Sequence, residues 1–272
     1  MPVFLVVPIC AWPEIWAGSP TLAASAAENR RTTPPAVVFW SWQHNDDLAS
    51  IDKNDTGVSY FVGRIVIDSL RQPGSPLAFE RSLSPLSAPV GVYREAALRI
   101  EIKKLEAKCA DEIARTLAQM VIREALKGPV RVDSIQIDFD AARDQRAFYK
   151  SFIVELRKRL PVDMHLSITA LASWCLGDNW LAQADLPVDM VVPMFFSMGP
   201  ASDAIKMRIN KRGLPPATLA GQIAPGFSLN EPAVIAAFGS RLKDFKTVYL
   251  FSSSGWNKMR VDKVKKLIER KI

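Results

Sequence analysis

Histidine and cysteine are scarce in this chain of 272 residues: two histidines, His44 and His165, and three cysteines. Neither histidine has a cysteine or carboxylate at a zinc-site spacing, so no metal site is expected. Three cysteines are too few for a disulfide scaffold. Cys10 falls in an apolar N-terminal stretch, which leaves Cys109 and Cys175 either paired or as two free thiols. No glycine-rich phosphate turn follows an early strand, which argues against a doubly wound nucleotide-binding sheet and against a nucleotide cofactor. No Ser-x-Gly elbow precedes a helix, and "SSS" at 252–254 reads as a polar loop, so serine-hydrolase chemistry has little support. No uninterrupted apolar run is long enough to span a bilayer.

The first 26 residues lack Lys and Arg altogether and hold one acid, Glu14. Their apolar character and the small residues Ala24, Ser25 and Ala26 fit a secretory leader, although a basic start is missing. Residues 27–36 read as a linker, and 37–272 as one barrel domain. Export to the periplasm or exterior is the expectation.

What the chain does have is apolar mass. Apolar residues make up 49% of it and charged residues 23%, a composition that supports a large core. The net charge of +7 is compatible with anionic partners. Its densest basic run, 258–271, carries Val261, Val264, Leu267 and Ile268 at helical spacing, however. That run reads as a solvated helix face, not a nucleic-acid surface.

Strand and helix patterns alternate along the sequence. Strands are expected at 36–42, 58–67, 96–102, 134–140, 165–173, 188–198, within 217–227 and at 247–256. Helical patterns fall at 110–128, 144–161, 179–186, 231–244 and after 256. Eight strands separated largely by helices predict an α/β fold, a (β/α)8 TIM barrel irregular in its first three units.

In such a barrel the strand C-termini deliver functional side chains to one face. Here they offer Trp42 and His44, then Asp138 and Asp140, Trp174, Met194 and Phe196, and Trp256. Aromatic platforms beside carboxylates suit a sugar site, because pyranose C–H faces stack on aromatic rings and bond cleavage needs a proton donor. Within "SIQIDFD" (134–140), Gln136, Asp138 and Asp140 share one strand face, about 6.6 Å apart per step. Two carboxyls this close push one proton affinity upward. Asp140 is the candidate general acid and Asp138 its partner, with Gln136 expected to hydrogen-bond Asp138. Gln136, Trp42, His44, Trp174, Met194, Phe196 and Trp256 are candidate substrate contacts. Arg99 and Glu101 alternate with Leu98, Ile100 and Ile102, which suggests an ion pair filling the barrel. Asp46, Asp47, Glu101 and Asp178 are the carboxylates that could assist from the rim.

"SIQIDFD" resembles the fourth-strand motif of chitinase-like barrels, glycoside hydrolase family 18, which runs D-x-x-D-x-D-x-E. "VDMVVPMFFSMG" and "SSSGW" resemble that family's sixth and eighth strands. The chain also resembles a bacterial family of exported glycosidase-like barrels of unknown function, over most of its length including "VVFWSWQHNDDL". The resemblance implies a glycan substrate or ligand. It places Asp133, Gln136 and Asp138 on the motif's three Asp positions and Asp140 on its catalytic Glu. Phe196-Ser197 stands where the family has Tyr-Asp, so the tyrosine that helps an N-acetyl group attack is not carried over. Non-catalytic glycan binding and a scaffold role are the alternatives to hydrolysis.

Overall fold

The computed structural model describes residues 33–42, 45–71, 76–84, 86–176, 178, 180–199, 202–212 and 222–269. The leader, most of the linker and His44 lie outside these. Ten strands and seven α-helices run in the order β1 (Val37–Ser41), β2 (Thr56–Asp68), β3 (Leu77–Arg81), β4 (Tyr93–Lys104), α1 (Ala110–Ala125), β5 (Ser134–Asp138), α2 (Arg146–Arg159), β6 (His165–Leu171), α3 (Ala172–Leu176), α4 (Trp180–Ala184), β7 (Met190–Met194), α5 (Ser202–Arg212), β8 (Gln222–Ile223), β9 (Gly226–Ser228), α6 (Pro232–Phe238), β10 (Val248–Phe251) and α7 (Lys258–Glu269).

The sheet closes on itself. Parallel pairs run from β1 through β2, β4, β5, β6, β7 and β9 to β10, which pairs back onto β1, while β8 pairs with β7 beside β9. Strands β8 and β9 together fill one place, the seventh. The expected seventh strand is broken there by Ala224-Pro225, because Pro225 has no N–H to donate to a ladder. The result is the eight-membered parallel barrel expected from the sequence.

The irregularity falls in the first units, as expected. Among the described residues no helix lies between β1 and β2. β2 instead folds back through β3, which pairs antiparallel with its far half at Arg64↔Glu80 and Val66↔Ala78. The sequence pattern places no strand between 67 and 96, where β3 lies, because a Pro- and Gly-bearing approach masks a five-residue strand. It also missed α3 and α5; the apolar run into α3 reads equally well as more strand.

Side chains alternate across the barrel wall. From β1, Val37 and Phe39 join the large outer core under the helices. Val38 and Trp40 point inward, where they meet Met190, Val192, Ala224 and Tyr249. Trp40 is large for this space, and the chain makes room for it with Gly226 on β9. A Cβ at Gly226 would overlap the outer edge of the Trp40 ring. Gly226→Ala should therefore cost roughly 1–3 kcal/mol, read as a lower midpoint in urea unfolding at unchanged slope.

Cys109 and Cys175 are both free thiols, which settles the open pairing. Burial of Cys175 pushes its thiol up to about 12.

Candidate functional site

The interior of the barrel is layered. Its lower layer centres on Glu95 from β4, fully buried, whose Oε1 accepts from Ser167 (2.7 Å), Ser134 (2.9 Å) and the Tyr249 hydroxyl (3.2 Å). Among the described residues no cation pairs with Glu95 there, and burial raises its affinity for a proton. The sequence reading began this strand at 96 and missed Glu95. Extending the alternation Arg99, Ala97 back by one step would have found it.

The next layer is Gln136. Its Oε1 accepts from Trp40 Nε1 at 2.6 Å and from Ser59 Oγ at 3.3 Å, while Nε2 donates to Ser167 Oγ at 3.1 Å. Gln136 is therefore not the partner of Asp138 expected from the strand pattern. Its amide bonds to Trp40, Ser59 and Ser167 one layer lower, where it holds Trp40 level as the floor of the site.

Asp138 stands above Trp40, at the end of β5. Thr169 Oγ1 donates to its Oδ1 at 2.7 Å, and Arg99 Nη1 reaches its Oδ2 at 3.4 Å. Asp138 is only 4% exposed. Burial is the main reason that its carboxyl is pushed up to about 6, with the neighbouring Asp140 charge adding to the rise. Thr169 and Arg99 pull the other way. Asp140 lies just past the strand end, half-exposed, with Arg99 Nη2 at 3.8 Å. Its proton affinity is also raised, chiefly by desolvation and against the pull of Arg99.

These groups form one wall of a cavity of about 150 Å³. Arg99, Asp138, Asp140 and Thr169 face Trp40, Trp42, Met194, Phe196 and Phe251 across it. The aromatic wall is built from stacked pairs. Trp42 lies on Phe61 with ring centroids 4.7 Å apart, and Phe196 lies on Phe251 at 5.5 Å. A second cavity of about 410 Å³ shares Arg99, Asp140, Met194 and Phe196, so the site opens into a groove toward α3 and α5.

The structure thus brings together Asp138, Asp140, Trp42, Met194 and Phe196 as expected, with Gln136 beneath them. Trp40, Thr169 and Phe251, none of them a candidate contact from the sequence, line the same cavity. Two expected contacts fall away. Trp256 is 2% exposed and sits in the outer core, edge-on to Phe39, with its indole N–H bonded to the Trp40 carbonyl at 2.7 Å. Trp174 is 4% exposed, packed edge-on to Trp180 beneath the Arg146 guanidinium. Both are packing residues and line neither cavity.

Arg99 and Glu101 do pair, at 3.2 Å, but at the open rim rather than within the barrel. Of the other rim candidates, buried Asp46 accepts from Ser41 and the Trp256 backbone N–H. Asp178 pairs with Arg146 at 2.5 Å, and Asp47 accepts from Ser87. Each of these three holds local structure. Among the described residues no group of His, Cys, Asp and Glu could hold a metal ion.

Residues 96–191 match the profile of a family described as a domain of unknown function, DUF3142. The DUF3142 match includes Arg99, Asp138, Asp140 and Thr169, but stops short of Met194 and Phe196. No curated protein matches the chain. Among solved structures, a chitinase from Ipomoea carnea superposes with a TM-score of 0.52 at 12% identity, over 84% of this chain and 98% of its own. A chitinase-like lectin from tamarind gives 0.47 at 13% identity over 81% and 94%, respectively. The Bacillus cereus spore cortex-lytic enzyme SleL gives 0.41 at 17% over 72% and 51%. At such identities the likeness is one of fold. It agrees with the resemblance to chitinase-like barrels and to a family of unknown function read from the sequence.

Proposed function

We propose that this DUF3142-like barrel binds a glycan in the cavity above Trp40 and hydrolyses a glycosidic bond there. The carrying observation is the pairing of two proton-retaining aspartates with an aromatic wall across one small cavity. A pyranose ring packs its C–H face on the aromatic side. Asp140, the more exposed of the two, donates its proton to the leaving oxygen as the C–O bond breaks, and a water then adds to the ring carbon and returns a proton to Asp140. Asp138, held by Thr169 and Arg99, carries the negative charge that meets the positive charge developing on the ring. Asp138 must be ionised for this role, so turnover is expected to rise with pH toward about 6, where its carboxyl loses its proton. Delivery outside the cytoplasm fits this reading and rests on the leader-like pattern of residues 1–26.

A second reading is glycan binding without turnover, and one observation favours it. Arg99 pairs with both aspartates, and the facing wall brings no carboxylate among the described residues. One experiment separates the two. Wild-type protein and Asp140→Asn are assayed on a panel of polysaccharides for released reducing ends and, by calorimetry, for binding. Hydrolysis predicts turnover that falls at least ~100-fold in Asp140→Asn while binding persists. Binding in both proteins with turnover in neither would favour the second reading. Binding to no glycan would refute both.

A further inference from the structure

β2 and β4 are much longer than their neighbours. They have 13 and 12 residues, whereas β5 and β7 have five each. The β4–β5 pairing ends at Arg99↔Asp138, yet β4 continues through Ile100–Lys104. At roughly 3.3 Å per residue, this lifts a three-stranded extension, β3–β2–β4, about 16 Å above the barrel mouth on the aspartate side. The outer face of the extension is covered. Ile65, Ile67, Leu98 and Ile100 are buried, and Arg81 reaches across to Glu124 of α1.

The inner face carries a ladder of alternating charge. From the aspartates it runs to Arg99, to Glu101 at 3.2 Å, to Arg64 at 3.1 Å, and then to Glu80 on β3. A register shift in β2 between Phe61 and Gly63 sets this arrangement up. Without that bulge the period of two would turn Gly63 and Ile65 inward and Arg64 out. With it, Arg64 joins the site side and Ile65 the core. Only glycine fits at 63, since a Cβ there would run into the Glu80 carbonyl.

We propose that this inner face is an extended binding wall for a neutral, hydroxyl-rich glycan chain, continuing the cavity beyond the sugar at the aspartates. The inference rests on the glycan reading above and gives it a direction and a substrate class. Arg64, Arg99 and Lys103, the last one step further along β4 and near enough to act on Glu80, supply three positive charges, and Glu80, Glu101 and the aspartate pair supply the negative ones. The face is therefore mixed and near balance, with cationic donors alternating with carboxylate acceptors. Sugar hydroxyls both donate and accept, so they complement such a face. A polyanionic chain would meet Glu80 and Glu101 and gain nothing net.

The test is calorimetric binding of a size ladder, disaccharide to hexasaccharide, of neutral cello-, xylo- and chito-oligosaccharides, with oligogalacturonates as the anionic comparison. Wild type, Arg64→Ala/Glu80→Ala and Trp42→Ala are compared, with melting curves confirming that each is folded. In wild type, affinity for the neutral series should rise with length. In the wall variant that rise should flatten by about tenfold at the hexasaccharide while disaccharide affinity holds. Trp42→Ala should weaken every length. A rise with length that survives in the wall variant, or a preference for the anionic series, would overturn the wall and leave the glycan reading intact. Binding of no oligosaccharide would overturn both.

Discussion

Asp138→Asn should abolish turnover and make the protein more stable at the same time. The loss is expected at ~100- to 1,000-fold in kcat/KM on whichever glycan is cleaved, because the amide cannot carry the charge that meets the developing cation. The gain follows from where the carboxyl sits. Asp138 is pushed up to about 6 by burial, against an ordinary value of 3.8. Below 3.8 the folded and unfolded chains both hold the proton, and the position costs nothing. Between 3.8 and 6 the unfolded chain releases its proton first, so stability falls as pH rises. Above 6 the full penalty is present. At ~1.4 kcal/mol for each pH unit between the two values, it approaches about 3 kcal/mol. The neutral amide removes this penalty, which already includes the attraction of Arg99. Urea unfolding should therefore show Asp138→Asn more stable than wild type by roughly 1–3 kcal/mol at pH 8 and equal to it at pH 3.5. Equal stability at pH 8 would mean that the carboxylate is fully compensated where it sits. Active sites commonly hold strain of this kind.

The second large effect is expected at Trp40. Its ring is buried against Tyr249 at a centroid distance of 5.0 Å and meets Phe196 edge-on at 5.9 Å, with its N–H on Gln136. Trp40→Ala should destabilise by about 3–5 kcal/mol, since it empties the barrel centre and leaves the Gln136 amide one donor short. Trp40→Phe keeps most of the volume and loses the hydrogen bond, so it should cost about half as much. Both variants should also weaken glycan binding, because the floor of the cavity goes with the ring. Thermal melting beside calorimetry reads the two effects separately.

The parts of this protein legible in its sequence are those governed by local periodicity. "SIQIDFD" gave its own strand and its inward face, and the strand count gave the barrel. Asp138, Asp140, Trp42, Met194 and Phe196 followed, because a side chain at a strand's C-terminal end has few other places to point. What stayed hidden depends on register between distant segments. Nothing near Gln136 in the chain says that Trp40 and Ser167 take its amide. Nothing near Trp256 says that it turns outward onto Phe39. Arg99 and Glu101 were read as facing inward, which is right. That they face inward above the mouth and not within the barrel depends on where β5 ends, at Asp138.

The closure of the sheet has a consequence in time. β1 is flanked by β2 on one side and by β10 on the other, with Val37 opposite Val248. The first strand of the barrel therefore waits, with one edge bare, for a strand near the other end of the chain. Until both are present, no cavity exists, because Trp40 and Phe251 sit on those two strands. The site is therefore complete only once β1 and β10 have paired, and a chain cut short before β10 would hold both site aspartates without the wall that faces them.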